Sequence, residues 1–494
     1  MTAAVPRVLV VTDEPVGSRM AGRAIRAWEL ARVLGRVFPT TLAAPLPIPA
    51  TAPGFALTAL PTGAEGDLAL AGLVAVNDII IARTLPLTAI PTQGMATKYL
   101  VVDLACPWQI EDLEAASADA AGDDAALADD LMLLDALLAA GDFFICANEA
   151  QRGFWLGALA QTGRLTPAAY GPAHDARALI DLVPSGLPAE PPQKSMRTLK
   201  GVVPGIGQND VVALWGGGLW RWLDPLTLIR AMGRLRETGY PVRAVFLGAE
   251  PPAAAKRPAL LDAARGLSDE LGLSGTHVFF LEGWAPYAER ANYLMEADIG
   301  VSLHPQTLET RFAYRMRVLD YLWTGIVPVV SDGDMLADLV RSYDAGRVVP
   351  PGDDAVLAET LQALCDDPYE RRLLGARAHA LGQSFTWETV VQPLLAFCRA
   401  PHKGTRVAGL TTAELQERIT ELESRLYQTS TYAERLEREL AARGGPDLTA
   451  PAHADRGVGT RLRRAMQGLR RGPGGTRPAG EATDTEDESP PESS

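Results

Sequence analysis

The 494-residue sequence predicts an α/β protein built from two doubly wound domains facing a cleft, followed by a short coiled-coil helix and a disordered tail. Three observations predict it. Near-continuous runs of Val, Ile and Phe mark strands buried on both faces, and such strands belong to parallel sheets. These runs alternate with helical stretches, as a doubly wound sheet requires. The series breaks at a Pro-rich stretch and starts again, and 494 residues exceed what one ordinary core organises.

The first domain is expected over 1–188, with strands at Val8–Val11, Asp78–Ala82, Tyr99–Asp103 and Asp142–Ala147. Val183-Pro184-Ser185-Gly186-Leu187-Pro188 and the prolines up to Lys194 read as a linker. A second domain, 200–385, repeats the pattern with strands at Val211–Trp215, Ala244–Gly248, His277–Leu281, Ile299–Leu303 and Val327–Val330. A closing helix is expected over 386–400, from Trp387 to Cys398.

Past residue 401 the character changes. Leu415, Ile419, Leu422, Leu426, Thr429, Ala433, Leu436 and Leu440 recur at alternating intervals of four and three, which reads as a coiled-coil seam over 411–442. It implies a homo-oligomer, with a lone amphipathic helix lying on the body as the alternative. Residues 443–494 are rich in Gly, Pro, Ala and charge, and read as disordered. Arginines fill 456–477 and acids follow from Glu481 to Glu492. Val458, Leu462, Met466 and Leu469 fall on one helical face of the basic part, which suits contact with anionic lipid headgroups. The alternative is a solvated tail.

Composition narrows the function. A net charge of −14 argues against nucleic-acid binding. The four cysteines (Cys106, Cys146, Cys365, Cys398) form no Cys-x-x-Cys pair, which suits a reducing compartment and offers no zinc site. No metal-ligating histidine spacing, P-loop or Gly-x-Ser-x-Gly elbow occurs. The sequence begins directly with a strand, and no run of about 20 apolar residues is present. A cytoplasmic protein is expected, with a peripheral contact at the inner face of the membrane through the basic tail.

Chemistry concentrates in three places. In the first strand-to-helix turn, Gly17, Arg19 and Gly22 stand where backbone can approach a ligand. Asp103, ending a first-domain strand, is a candidate for orienting an acceptor, or a structural carboxylate. The second domain opens on Trp215-Gly216-Gly217-Gly218-Leu219-Trp220-Arg221, a glycine nest suited to a pyrophosphate. The third place is the most distinctive: a buried strand, His304, a loop bearing Glu309, a helix carrying Arg311, Arg315, Arg317 and Asp320, a stop at Gly325, and another buried strand. Acids and arginines at the carboxyl end of a parallel strand lie where open α/β sheets bind ligands.

This third arrangement resembles the donor site of the family 4 (group 1) retaining glycosyltransferases, which place two Rossmann-like domains face to face in the GT-B architecture. Their pattern is a loop Glu, a second acid in the following helix and a Gly-x-Pro-Val-Val strand. Here Glu309 and Asp320 occupy the two acid positions, eleven residues apart where eight is usual. The resemblance implies a nucleotide diphosphate sugar as donor substrate, with no resident cofactor or metal, and a glycan or lipid-linked acceptor. Glu309 would contact sugar hydroxyls and serve the catalytic step, Asp320 the ribose, and the 216–218 backbone the diphosphate. The acceptor would enter beside Gly17, Arg19 and Gly22. Most such enzymes neutralise the diphosphate with an Arg and a Lys in the glycine turn, at positions held here by Gly218 and Leu223. Arg221, Arg311 and Arg315 are the nearby replacements, while Arg317 points elsewhere on its helix. The alternatives are a catalytically silent GT-B scaffold of a polysaccharide-assembly complex, favoured by the missing Arg and Lys, and a sugar-nucleotide epimerase.

Overall fold

The computed structural model describes residues 5–45, 54–86, 89, 97–116, 124–248, 259–407 and 412–442. The chain divides into two compact units, one ending at Ala408 and one beginning at Gly409.

The first unit holds two parallel sheets. In the first, β1 (Val8–Val11), β2 (Thr40–Pro45), β3 (Ala56–Leu60), β4 (Ile79–Ala82), β5 (Tyr99–Asp103), β6 (Phe143–Cys146) and β7 (Ile180–Leu182) run in the order 3-2-1-4-5-6-7. In the second, β8 (Val211–Gly216), β9 (Val242–Leu247), β10 (Val278–Phe280), β11 (Ile299–Ser302), β12 (Val327–Ser331) and β13 (Arg347–Val349) run 10-9-8-11-12-13. Each sheet reverses its strand order beside its own first strand, at β1 and at β8. Crevices at such switch points are where doubly wound sheets take ligands.

The strands alternate between two apolar layers. Val8, Val10, Ile79, Ile81, Phe143 and Ile145 belong to one core, and Leu9, Val11, Ile80, Ala82, Phe144 and Cys146 to the other. The first of these cores also takes Trp387, Val390, Leu394 and Phe397 from the helices Trp387–Val390 and Gln392–Arg399. The chain thus crosses from the second domain back onto the first, where Phe397 stacks on Phe143 with ring centres 4.8 Å apart. Residues 401–407 continue along the first domain: the Gly404 N–H donates to Asp142, and the Val407 N–H to the Gly163 carbonyl.

Local chemistry sets the helices around the second crevice. Asp224 caps helix Pro225–Glu237 by accepting from the Thr227 N–H at 3.1 Å, with Pro225 at the first helical position. Helix Met316–Thr324 stops at Gly325, whose φ of 70° gives the left-handed end that favours glycine. The expected arginine-bearing helix is in fact two, Leu308–Phe312 and Met316–Thr324. Extended backbone at Ala313 separates them.

The second unit is described only as the helix Thr412–Ala442. On it the seam residues Leu422 and Leu436 are exposed. Among the described residues, no helix is long and apolar enough to cross a membrane. The tail 443–494, with its basic stretch 456–477, lies outside the described residues.

Candidate active site

A cavity of about 390 Å³ lies between the two domains, at the carboxyl ends of both sheets. Hydrogen bonds across its rim hold the domains together. The Trp284 Nε1–H donates to the Met20 carbonyl at 3.0 Å, the Tyr287 N–H to Ser18 at 2.8 Å, the Gln151 amide to Phe312 at 2.6 Å and the Tyr314 hydroxyl to Ser185 at 3.1 Å.

The glycine turn after β8 forms part of the second-domain wall. Gly217 has φ 87°. The Gly216 N–H donates to the Tyr321 hydroxyl at 2.9 Å, and the Gly217 N–H to the Leu247 carbonyl at 2.8 Å. Two of the three glycine amides are therefore engaged within the domain, and that of Gly218 has no partner among the described residues. A Cβ at Gly218 would stand 2.9 Å from the Trp220 indole, so a side chain there collides with Trp220.

Asp320 lines the cavity and accepts from Arg290 Nε at 3.0 Å. Arg290 is itself clamped between Tyr287 and Trp323, its guanidinium carbon 3.9 and 4.6 Å from the ring centres. Glu309 also lines the cavity, and both its oxygens accept from Arg315, at 2.8 and 2.5 Å. Burial pushes the Glu309 carboxyl above the ordinary carboxylate range, against the opposing pull of Arg315. Behind this pair, Asp334 sits 3.7 Å from Arg315 Nε and 3.5 Å from His304 Nε2.

The first-domain wall is a set of ion pairs. Arg26 donates to both oxygens of Asp103, at 2.6 and 2.9 Å, and to the Val183 carbonyl at 2.8 Å. Arg23 bridges Asp13 and Glu14 at 3.0 and 2.9 Å. Arg83 lies 3.9 Å from Glu111. Cys106 also lines this wall, but burial pushes its thiol well above the ordinary range, so it is no thiolate nucleophile. Among the described residues, no group of three or more His, Cys, Asp or Glu is placed to hold a metal ion.

Residues 210–367 match the family described as glycosyl transferases group 1. No curated protein matches the chain by sequence. Solved structures do match in shape. Sucrose-phosphate synthase from Thermosynechococcus elongatus superposes with a TM-score of 0.60 and 16% identity over 80% of this chain and 98% of its own. HepE of Anabaena in complex with UDP-glucose gives 0.57 and 15% over 80% and 100%. WaaG, a glycosyltransferase involved in lipopolysaccharide biosynthesis, gives 0.54 and 14% over 79% and 98%. The fold is GT-B.

Within this GT-B cleft the expected site residues separate. Gly216, Gly217, Gly218, Glu309, Arg315, Asp320, Gly22 and Asp103 line the cavity. Arg221, His304, Arg311, Gly17 and Arg19 stand outside its lining. Arg311 is exposed because the backbone break at Ala313 takes it off the helix that faces the ligand space. His304 is buried beneath Glu309, its Nδ1 3.1 Å from the Pro305 carbonyl. Asp103 is held by Arg26 on both oxygens, as a structural carboxylate would be. Sequence reasoning turned Arg317 away from the ligand, yet it lines the cavity beside Gly218. A signal was present: Arg317, Asp320 and Tyr321 lie three and four positions apart and share one helix face, so a helix presenting Asp320 also presents Arg317.

Proposed function

We propose that the protein transfers a sugar from a nucleotide diphosphate sugar to a glycan or lipid-linked acceptor with retention of configuration, in cell-surface polysaccharide or glycoconjugate synthesis. The observation that carries this reading is that the β8 glycine turn, Asp320 and Glu309 line one cavity at the switch point of the second sheet. Asp320 receives the ribose hydroxyls through the carboxylate oxygen that Arg290 leaves free. Glu309, oriented by Arg315, accepts from sugar hydroxyls with its remaining lone pairs. The diphosphate lies against the turn at Gly218, and the acceptor enters past Gly22. The leaving phosphate takes the acceptor's proton during attack on the same face of the sugar. Cationic side chains steady the charge that develops on the leaving nucleoside diphosphate, with no metal required.

Calorimetric titration with UDP, GDP, ADP and their sugar conjugates tests this reading, beside a Glu309→Ala, Asp320→Ala double variant. HepE is solved with UDP-glucose, so uridine conjugates come first. Micromolar binding of one series, lost in the variant, is the expected result. One observation favours a silent scaffold instead: the positions expected to hold Arg and Lys are Gly218 and Leu223. Folded protein that binds none of the nucleotides would decide for the scaffold.

Self-association is proposed through 411–442, because the exposed Leu422 and Leu436 have an apolar seam to cover. Deleting that segment should lower the mass measured by light scattering. A peripheral contact with anionic membrane is proposed for 456–477; vesicle pelleting that survives deletion of the segment would end that idea.

A further inference from the structure

Six arginines line the cavity; four close on a carboxylate at 3.0 Å or less, and Arg83 lies 3.9 Å from one. Arg317 closes on none among the described residues. Its guanidinium carbon lies 4.9 Å from the centre of the Trp215 ring, and Nη2 donates to the Gly218 carbonyl at 2.8 Å. Nη1 is buried and, among the described residues, has no hydrogen-bond partner. A buried guanidinium with neither a counter-ion nor a full set of acceptors is costly, and such a group invites an anion. Burial lowers its pKa to about 10, which leaves it charged at neutral pH.

The surroundings point the same way. Among the described residues the turn offers a diphosphate one free glycine amide, since those of Gly216 and Gly217 are engaged. It offers no cation at 218 or 223, and Trp220 bars a side chain from position 218. A diphosphate bound there needs positive charge from elsewhere. Arg311 is outside the cavity, and Arg315 is committed to Glu309.

We infer that Arg317 is the cation that binds the diphosphate of the donor, reaching it from beneath the glycine turn. The inference rests on the donor reading proposed above. The competing role is a strut that only supports the Gly218 carbonyl.

NMR titration of the full chain separates the two roles, using UDP, GDP and ADP, their parent nucleosides and inorganic pyrophosphate. Wild type is compared with Arg317→Gln and Arg317→Lys, each checked for an intact unfolding transition. The expected result is a tenfold or greater loss of diphosphate and pyrophosphate affinity in Arg317→Gln, with nucleoside affinity within twofold of wild type. Arg317→Lys should recover part of the loss, because it keeps the charge and gives up the fork. Equal losses for nucleoside and diphosphate, or no loss for either, would make Arg317 a strut and overturn the inference while leaving the donor reading standing. Pyrophosphate binding that depends on Arg317, without binding of any nucleotide, would retain the anion site and overturn the donor reading. Folded wild type that binds neither pyrophosphate nor a diphosphate would overturn both.

Discussion

The first-domain wall of the cavity carries Arg23, Arg26 and Arg83, and each faces a carboxylate; the second-domain wall carries Arg290, Arg315 and Arg317, and the last faces none among the described residues. Both walls are made the same way, from helices and loops beyond the carboxyl ends of a parallel sheet. They differ in what their arginines have left to offer. A guanidinium clasped by a carboxylate holds backbone in place and presents a nearly neutral surface, suited to hydroxyl groups. A guanidinium without such a partner keeps its charge for a ligand. On the proposed function, the contrast fits an anionic donor against the second domain and a hydroxyl-rich acceptor against the first.

The largest expected effect breaks the first wall. Asp103→Ala removes the carboxylate from a pair whose two side chains are about one-tenth exposed and leaves Arg26 buried with two fewer acceptors. Stripping one partner from a buried pair costs about 3 to 5 kcal/mol. Urea denaturation should show that loss, while nucleotide affinity per folded molecule stays as it was. A stable Asp103→Ala protein with a raised acceptor KM would reverse the reading and make Asp103 a ligand group. The next effect lies on the second wall. Asp320→Ala should weaken nucleotide binding at least tenfold, about 1.4 kcal/mol, in calorimetry. Unchanged affinity would remove Asp320 from the ribose.

A smaller, pH-dependent effect sharpens the contrast. Burial lowers the Arg317 pKa to about 10, so the folded chain holds that proton less firmly than the unfolded chain does. Between about 10 and the ordinary guanidinium range the unfolded state then binds more protons, and the residue's contribution to stability rises with pH. Below about 10 the full cost of the buried charge persists. The stability of wild type relative to Arg317→Gln should therefore improve as pH is raised through 10. A difference that stays flat across that window would mean the charge is already compensated.

The parallel sheets were legible because their central strands are written in β-branched and aromatic residues. Ile79-Ile80-Ile81 and Phe143-Phe144-Ile145 admit no reading with a solvent face. Strand β2, Thr-Thr-Leu-Ala-Ala-Pro, and the three-residue β7 carry too little apolar signal to separate them from loop. In the site, Glu309 and Asp320 were legible from order along the chain, and both line the cavity. The arginines were not. Whether Arg311 and Arg315 share a face depends on the helix running unbroken between them, and Ala313 in extended backbone interrupts it. The role of Arg315 depends on Glu309 folding back over six residues to meet it, which no periodicity announces. Closed and open arginines look alike in a sequence because the difference is made by the partner.

The smallest expected effect follows from the same distinction. Arg23 closes on Asp13 and Glu14, but about half of its side chain is exposed, so water already screens the pairs. Arg23→Ala should cost under about 1 kcal/mol of stability, and part of that is the support Glu14 gives by accepting from the Ala24 N–H at 3.0 Å. Diphosphate affinity should not change, because the residue lies on the first wall and its charge is spent on neighbouring acids. Once Arg23 is gone, Asp13 and Glu14 make that wall more negative. An anionic acceptor would then bind worse and a neutral one would not, so KM measured with a charged and an uncharged acceptor glycan reports what the first wall is built to receive. A drop in diphosphate affinity in this variant would instead show that the two walls share one electrostatic site, and the contrast between them would fall.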